Sequence, residues 1–361
     1  MPGFIAFAAL LAPGLAHAQI APGDLREAVN RGSRGDRELA GFYARRDWQP
    51  LWVERQTVLP AAATLLDLVD HADADGLSPQ ALNVPDLAAA VRKAQRERSP
   101  RSLARAEVAL SRTFAAYVRA MRRPRASGMT YHSSLLQPVV PSASAALAAA
   151  AEAPSLTRYL EHVEWMHPIY GALRDALVHS TLDRSRQEQV FLNLERARAL
   201  PASPAQRYVL IDAAGARLWM YENGQPVDSM KVVVGKPDLQ TPMVAGLITQ
   251  AVLNPYWNVP VDLVQTRIAG SVLDQGLSYL RTGGYQVLSD FGDKPSLLDP
   301  ARIDWRAVAD GQRELRVRQL PGKANFMGQI KFNFANPDGI YLHDTPDKAL
   351  LNKDVRTASS G

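Results

Sequence analysis

Residues 315–346 read LRVRQLPGKANFMGQIKFNFANPDGIYLHDTP. The runs LRVRQL, QIKFNF and GIYLHD are typical of β-strands, because they are short and apolar and are separated by segments rich in Gly, Pro and Asn. In KFNF the two phenylalanines fall on one face of a strand and the Lys and Asn fall on the other, which indicates a half-buried strand. ANPDG predicts a tight turn before the last strand. The stretch therefore predicts β-structure, mostly antiparallel, up to His343.

The strand pattern begins at about residue 205. RYVLID, ARLWMYE and PVDSMKVVVG all read as strands, and Asn223-Gly224 is a strong hairpin signal. Upstream of residue 200 the apolar spacing is helical instead. The chain therefore divides into a helical half and a β half.

The clearest predicted helix lies at residues 99–123. Ser99 can cap it, and Pro100 suits its first turn. Apolar residues then recur at steps of three, four and seven, so they share one face. The predicted core face of this helix consists of Leu103, Leu110, Phe114, Tyr117, Val118 and Met121.

These patterns predict an α+β protein. A helical domain at 22–200 is followed by a mostly antiparallel, sandwich-like β domain at 205–361. The segment at 261–312 is rich in Gly, Asp and Pro and reads as an insertion into the β domain. A length of 361 residues accommodates two such domains.

The first residues predict export. Residues 1–23 carry no charged side chain, and the small residues AHA precede Gln19 as they do at a cleavage site. The apolar run is about fifteen residues long, which suits a signal peptide better than a membrane span of about twenty. We expect a signal peptide at 1–18 and a periplasmic protein, although a buried N-terminal helix would show a similar pattern.

Composition limits the chemistry. The chain has no cysteine, which excludes disulfides, thiolate metal sites and a cysteine nucleophile within these 361 residues. Its seven histidines form no metal-binding motif, so no metal site is predicted.

Residues 92–125 carry eleven Lys or Arg against two acidic residues. This stretch is either a solvated helix face or a contact with an anionic polymer, a membrane surface or a cell-wall protein. Nucleic acid is not expected as a partner of an exported protein.

The last strand and the chain end suggest a catalytic site. His343 follows an apolar strand, where a histidine is well placed to act as a general base, with Asp344, Thr345 or a carbonyl to orient its ring. In ASSG, successive backbone N–H groups at the turn that contains Ser360 and Gly361 can point at one oxygen and form an oxyanion hole. Taken alone, each feature has an ordinary explanation. His343 would be a structural histidine, and ASSG would be a common turn.

Taken together, these stretches resemble the L,D-transpeptidase catalytic domain, in its large periplasmic branch with a helical scaffold domain. The resemblance is carried in the β half by VVVGKPDLQTPM, LNPYWNVP, IDW, the stretch at 315–346 and VRTASSG. In the helical half, FYARRDWQPLWVE and DADGLSP are similar to the scaffold domain of the same branch. The motifs occur in the family order and cover nearly the whole chain.

The resemblance implies a peptidoglycan L,D-transpeptidase that forms 3→3 cross-links between stem peptides through a cysteine acyl-enzyme and without a cofactor. It places the cysteine directly after Gly361, so the 361 residues alone would be inactive. His343 would be the only base, because Ser360 stands where some relatives have a second histidine. The alternatives are a non-catalytic peptidoglycan-binding or scaffold homologue, and a hydrolase with Ser359 or Ser360 as nucleophile.

The substrate cleft is also predicted. Tyr341 lies two residues before His343 and so shares its face of the strand, where it would form a wall or donate a hydrogen bond. Trp257 in NPYWNVP would line the cleft, and Asp344 would contact substrate. Core packing is the alternative for both aromatic residues. By resemblance, the insertion at 261–312 would cap the substrate as a mobile lid.

Overall fold

The computed structural model describes residues 21–123, 128–202, 206–336 and 339–359. These residues form two compact units. The first unit holds the described residues up to 123 and those from 138 to 202; the second holds residues 128–137 and the described residues from 206 onward. The predicted signal peptide at 1–18 lies outside the described residues.

The first unit is helical. Its described helices are α1 (Pro22–Ser33), α2 (Arg37–Arg45), α3 (Ala61–Asp70), α4 (Val84–Glu97), α5 (Pro100–Arg122), α6 (Ala143–Glu152), α7 (Leu156–Glu161), α8 (Pro168–His179) and α9 (Arg184–Ala197). A short hairpin, β1 (Val53–Glu54) and β2 (Thr57–Val58), and a 3₁₀ turn at Ala72–Asp75 complete it. No helix among the described residues combines the length and apolar character needed to cross a membrane.

Helix α5 forms the centre of this unit. Ser99 and Ser102 make reciprocal cap hydrogen bonds at its start, and Pro100 occupies the first turn, as predicted. All six predicted core residues of this helix are buried in the main cluster of the unit. The sequence therefore located both the start and the buried face of α5.

A buried carboxylate ties α5 to the loop that follows α2. Glu107 accepts hydrogen bonds from the backbone N–H groups of Leu51 (2.6 Å) and Trp52 (2.9 Å) and from the Tyr43 hydroxyl (2.7 Å). Burial raises the pKa of Glu107 to about 7, although these hydrogen bonds oppose the rise. This raised pKa predicts that the stability of the unit falls as the pH rises from about 4.5 to about 7.

The second unit is mostly β. Its described strands are β3 (Thr130–Tyr131), β4 (Arg207–Asp212), β5 (Arg217–Glu222), β6 (Gln225–Lys231), β7 (Val234–Gly235), β8 (Val244–Ala245), β9 (Ile248–Leu253), β10 (Trp257–Val259), β11 (Tyr285–Leu288), β12 (Arg316–Gln319), β13 (Ile330–Phe334), β14 (Tyr341–His343) and β15 (Thr357–Ser359). Antiparallel sheets have the orders β4-β5-β6, β10-β12-β11 and β14-β13-β9, while β15 pairs with β7 and β3 with β8 in parallel.

These elements confirm the α+β class, with a helical half followed by a mostly antiparallel half. Asn223 and Gly224 join β5 to β6 with φ of 51° and 76°, the backbone of a tight hairpin turn. The described strands form several small sheets, and the sandwich-like packing of the β domain stays a prediction.

Residues 128–137 lie within the range predicted for the helical domain, yet they belong to the second unit. Here β3 pairs in parallel with β8, and the His132 ring lies 6.3 Å from the ring of Phe334. The segment lacks apolar residues at helical spacing, which explains why it is not part of the helix array.

The insertion at 261–312 is folded. It contains α10 (Val261–Leu263), a π-helical turn (Val264–Ala269), α11 (Gly270–Gln275), α12 (Ser278–Gly283), strand β11 and α13 (Trp305–Ala309). Val264, Ile268 and Val308 are fully buried and share a core with Trp257 of β10 and Val317 of β12. The insertion therefore packs on β10 and β12 through a shared hydrophobic core, and its movement as a lid stays a prediction.

Candidate active site

On one face of the sheet β14-β13-β9, five polar side chains and Val252 form two rows. Residues directly opposite in antiparallel strands point to the same face, and so do residues two apart in one strand. The register therefore places one row of Val252, Lys331 and His343 next to a second row of Gln250, Asn333 and Tyr341. The other face carries the apolar side chains of Ala251, Phe332 and Leu342. We call the first face the polar platform.

His343 stands at the end of β14 with one ring nitrogen fixed. Nδ1 lies 2.6 Å from the carbonyl oxygen of Asp344, and a carbonyl can only accept, so Nδ1 carries the proton. The neutral ring then holds its lone pair on Nε2. His343 is exposed at the surface, yet desolvation by the atoms packed around its ring lowers its pKa, and the charge of Lys331 lowers it further, while the carbonyls of Asp344 and Phe326 act in the opposite direction. The ring is thus biased toward the neutral form that a base requires.

Asp344 orients the ring through its backbone. Its carboxylate accepts a hydrogen bond from the N–H of Gln329 (3.0 Å) and forms an ion pair with Lys348. Gly328, at φ of 62°, has no room for a Cβ beside that carboxylate. Of the three groups expected to orient His343, a carbonyl is the one in contact with Nδ1. A contact between Asp344 and substrate stays a prediction.

Tyr341 and Trp257 are brought together although 84 positions separate them in the sequence. The Trp257 side chain is close enough to the Tyr341 hydroxyl to oppose the rise in its pKa that burial causes, and the Tyr341 ring lies 5.8 Å from the ring of His343. Trp257 is buried, with its ring 5.0 Å from that of Phe326. Trp257 therefore supports Tyr341 from the core, and the predicted contact of either residue with substrate remains untested.

The end of β12 and the loop that follows it contain site residues that the sequence did not indicate. Asn325 is buried and donates to the carbonyls of Pro255 (3.0 Å) and Leu320 (3.0 Å). The Gln319 side chain accepts from the N–H of Phe326 (3.0 Å). These bonds fix the Phe326 carbonyl beside His343. The available signal in the sequence was an Asn within a Gly- and Pro-rich loop. When such a side chain is buried, it needs backbone partners.

Strand β15 leads toward the predicted oxyanion residues. The N–H of Lys236 donates to the Ser359 carbonyl (3.0 Å), and the guanidinium of Arg356 donates to the carbonyls of Ala216 (3.1 Å) and Val232 (3.2 Å). Beside β15, Gly235 leaves no room for a Cβ against the backbone of the turn at 239–241. The chain is therefore held firmly up to Ser359. Ser360 and Gly361 lie outside the described residues.

Residues 206–361 match the family profile described as the L,D-transpeptidase catalytic domain, and residues 37–177 match the profile of a Scaffold domain. The second unit is an L,D-transpeptidase catalytic domain. A relative from Haemophilus influenzae, named "Putative L,D-transpeptidase", is 27% identical over 334 residues. The match covers 90% of this chain but 64% of the relative, so the chain spans less than two thirds of that protein's length.

The transpeptidase domain thus presents an imidazole oriented through Nδ1, an adjoining aromatic ring and a cation on one polar platform. In the described parts of the chain, His, Asp and Glu side chains form no group of three that could hold a metal ion. The groups present suit proton transfer at an amide nitrogen or a thiol, with Nε2 of His343 as the atom that takes and returns the proton.

Proposed function

We propose that this protein is a peptidoglycan L,D-transpeptidase that forms 3→3 cross-links in the periplasm through an acyl-enzyme on a cysteine encoded directly after Gly361. The observation that carries the proposal is the anchored tautomer of His343, whose Nε2 lone pair faces away from the Asp344 carbonyl. The match of residues 206–361 to the catalytic-domain profile supports the reaction class.

In the acylation step, Nε2 of His343 would take the proton of the thiol. The sulfur would attack the carbonyl carbon between the L-centre of the third stem residue and the terminal D-Ala. Backbone N–H groups at Gly361 and the following residue would stabilise the oxyanion, each contributing about 3 kcal/mol. The C–N bond then breaks, and the imidazolium returns the proton to the departing amine of D-Ala.

In the transfer step, an acceptor amine replaces the water that would otherwise hydrolyse the thioester. The side-chain amine of the third residue of a second stem would attack the thioester carbonyl, and His343 would take its surplus proton. The new amide joins the third residues of two stems, and the sulfur leaves as the thiolate and recovers its proton. Atoms and charge balance without a cofactor.

The test begins with the reading frame beyond Gly361. A protein expressed through the next codon is incubated with the disaccharide tetrapeptide and analysed by intact mass spectrometry. The expected result is a covalent adduct with the mass of the substrate less D-Ala, followed by a 3→3 dimer. His343→Gln should slow adduct formation by about 10²- to 10⁴-fold.

A codon other than cysteine, or a protein that carries the cysteine and forms no adduct, would refute the transpeptidase proposal. Binding of the tetrapeptide without an adduct would instead identify a non-catalytic peptidoglycan-binding homologue. Labelling of the 361-residue chain by a fluorophosphonate would point to Ser359 or Ser360 as a hydrolase nucleophile.

A further inference from the structure

Lys331 is the one cation on the polar platform. It lies opposite His343 in the register of β13 and β14, and its ammonium sits 3.6 Å from the centre of the Tyr341 ring. The neighbouring row carries an amide pair, in which Asn333 donates to Gln250 (3.1 Å). A half-buried ammonium is therefore held by an aromatic face beside the catalytic base.

This ammonium has no acidic partner within the described parts of the chain, where no carboxylate comes within ion-pair distance of it. Lys348, in contrast, forms an ion pair with Asp344. Burial lowers the pKa of Lys331, because removal of water disfavours the charged form. A partly desolvated cation without a counter-charge is a binding position for an anion.

The position of Lys331 indicates which anionic group of the substrate it would contact. In the proposed reaction His343 gives its proton to the nitrogen of the leaving D-Ala, and the carboxylate of that residue lies two bonds beyond the nitrogen. Side chains opposite each other in an antiparallel pair are about 5 Å apart at Cβ. An ammonium at residue 331 can therefore reach that carboxylate while the imidazole contacts the nitrogen.

We propose that Lys331 binds the α-carboxylate of the C-terminal D-residue of the donor stem peptide. This inference rests on the proposed function, and it adds a specificity determinant to it. A donor whose scissile bond is followed by one residue with a free carboxylate places its charge at Lys331. A C-terminal amide or a further residue removes the charge from that position.

The first experiment measures binding and needs no nucleophile. The 361-residue chain is titrated with the stem tetrapeptide and with its C-terminal carboxamide by isothermal calorimetry at pH 7. The wild-type chain should bind the free acid about tenfold or more tightly than the amide, as expected for loss of a charge-assisted hydrogen bond. Lys331→Met should bind both ligands with the weaker affinity, and Lys331→Arg should restore most of the difference.

Lys353→Met is the matched control, because it removes the same charge from an exposed position of the same unit. It should retain the wild-type preference for the acid. Equal affinity of the wild-type chain for acid and amide, or no measurable binding of either, would overturn the proposal. So would an unchanged preference in Lys331→Met with a wild-type circular dichroism spectrum, since Lys331 would then be structural or would act only on His343.

The second experiment separates this proposal from the proposed function. Acylation rates with acid and amide donors are measured on the protein extended through the codon after Gly361. Acyl-enzyme formation without discrimination between acid and amide refutes the role of Lys331 and leaves the transpeptidase proposal intact. If the chain prefers the acid in calorimetry but forms no acyl-enzyme, the carboxylate site is supported and the transpeptidase proposal is refuted.

Discussion

The imidazole of His343 is oriented by the backbone carbonyl of Asp344, at 2.6 Å from Nδ1, while the Asp344 carboxylate binds Lys348 and the N–H of Gln329. This differs from a Ser-His-Asp triad, in which an aspartate side chain orients the ring and its loss costs about 10⁴-fold in rate. Because the orienting group is the backbone carbonyl of Asp344, it is retained when the Asp344 side chain is substituted.

Asp344→Asn is therefore expected to reduce acylation by less than about tenfold. The variant keeps the carbonyl and can still accept from Gln329, and it loses an ion pair whose Lys348 partner is largely exposed, worth about 1 kcal/mol or less. The measurement is the rate of adduct formation on the extended protein. If Asp344→Asn were as slow as His343→Gln, the carboxylate rather than the carbonyl would be the group that positions the ring.

The acidic limb of the pH–rate profile is expected below pH 6.5, the ordinary pKa of histidine. Desolvation of the ring by its neighbours and the charge of Lys331 both lower the pKa of His343, so the ring stays neutral, and able to take a proton, at a lower pH. Removal of the Lys331 charge stabilises the imidazolium, so Lys331→Met should shift the acidic limb to higher pH.

Proton NMR of the 361-residue chain checks this directly, with the His343 signal assigned by its absence in His343→Gln. The midpoint of its titration should lie below 6.5 in the wild type and should rise in Lys331→Met. Lys353→Met, which removes an exposed charge that is not part of the polar platform, should leave the midpoint in place. A midpoint that does not move in Lys331→Met would show that burial alone sets the pKa.

Gly235→Ala should disrupt the approach to the nucleophile position. A Cβ at Gly235 would overlap the backbone of the turn at 239–241, and backbone cannot rotate away as a side chain can. Because β7 pairs with β15, displacement of this turn shifts the strand that leads to Ser360. We expect acylation to fall by more than tenfold, with a lower melting temperature of the second unit.

Gly270→Ala is the matched control for that variant. Gly270 lies in a helix with nothing near its Cβ position, so the substitution should be neutral or should stabilise the fold by up to about 1 kcal/mol. Equal behaviour of the two alanine variants, in rate and in melting temperature, would show that the turn at 239–241 does not constrain the site.

Local signals in the sequence were sufficient for several elements. Ser99 and Pro100 set the start of α5, Asn223-Gly224 set the β5–β6 hairpin, and alternation in KFNF assigned the two faces of β13. Each of these depends on residues a few positions apart, where propensity and periodicity decide the structure. The class of fold and the position of His343 at a strand end followed from them.

The site itself depended on contacts that no local pattern encodes. The proximity of Trp257 and Tyr341 joins distant segments, and the placement of Lys331 beside His343 requires the register of β13 against β14. The sequence assigned Lys331 to the polar face of a strand but not to a particular neighbour. Residues 128–137 joined the second unit through a parallel pairing with β8, which only tertiary structure brings about.

Glu107 gives a prediction for the helical unit. Its pKa in the folded protein is raised from 4.5 to about 7 by burial, so the folded state holds a proton that the unfolded state has already lost in this range. The contribution of this group to stability is fully present below pH 4.5 and is lost as the pH rises through about 7. By linkage, the loss between pH 5 and pH 8 is on the order of 2–3 kcal/mol.

Glu107→Gln removes this titration and is the variant that tests it. Urea unfolding followed by the circular dichroism of the helices, at intervals from pH 5 to pH 8, gives the free energy of unfolding of both proteins. The variant is expected to be less stable at pH 5, because its amide NH₂ would face the N–H of Trp52, but the wild type should lose more stability as the pH rises. Glu97→Gln, which removes an exposed carboxylate from α4, controls for the change in net charge. Parallel curves for the wild type and Glu107→Gln would show that the hydrogen bonds from Leu51, Trp52 and Tyr43 outweigh burial and keep Glu107 ionised throughout.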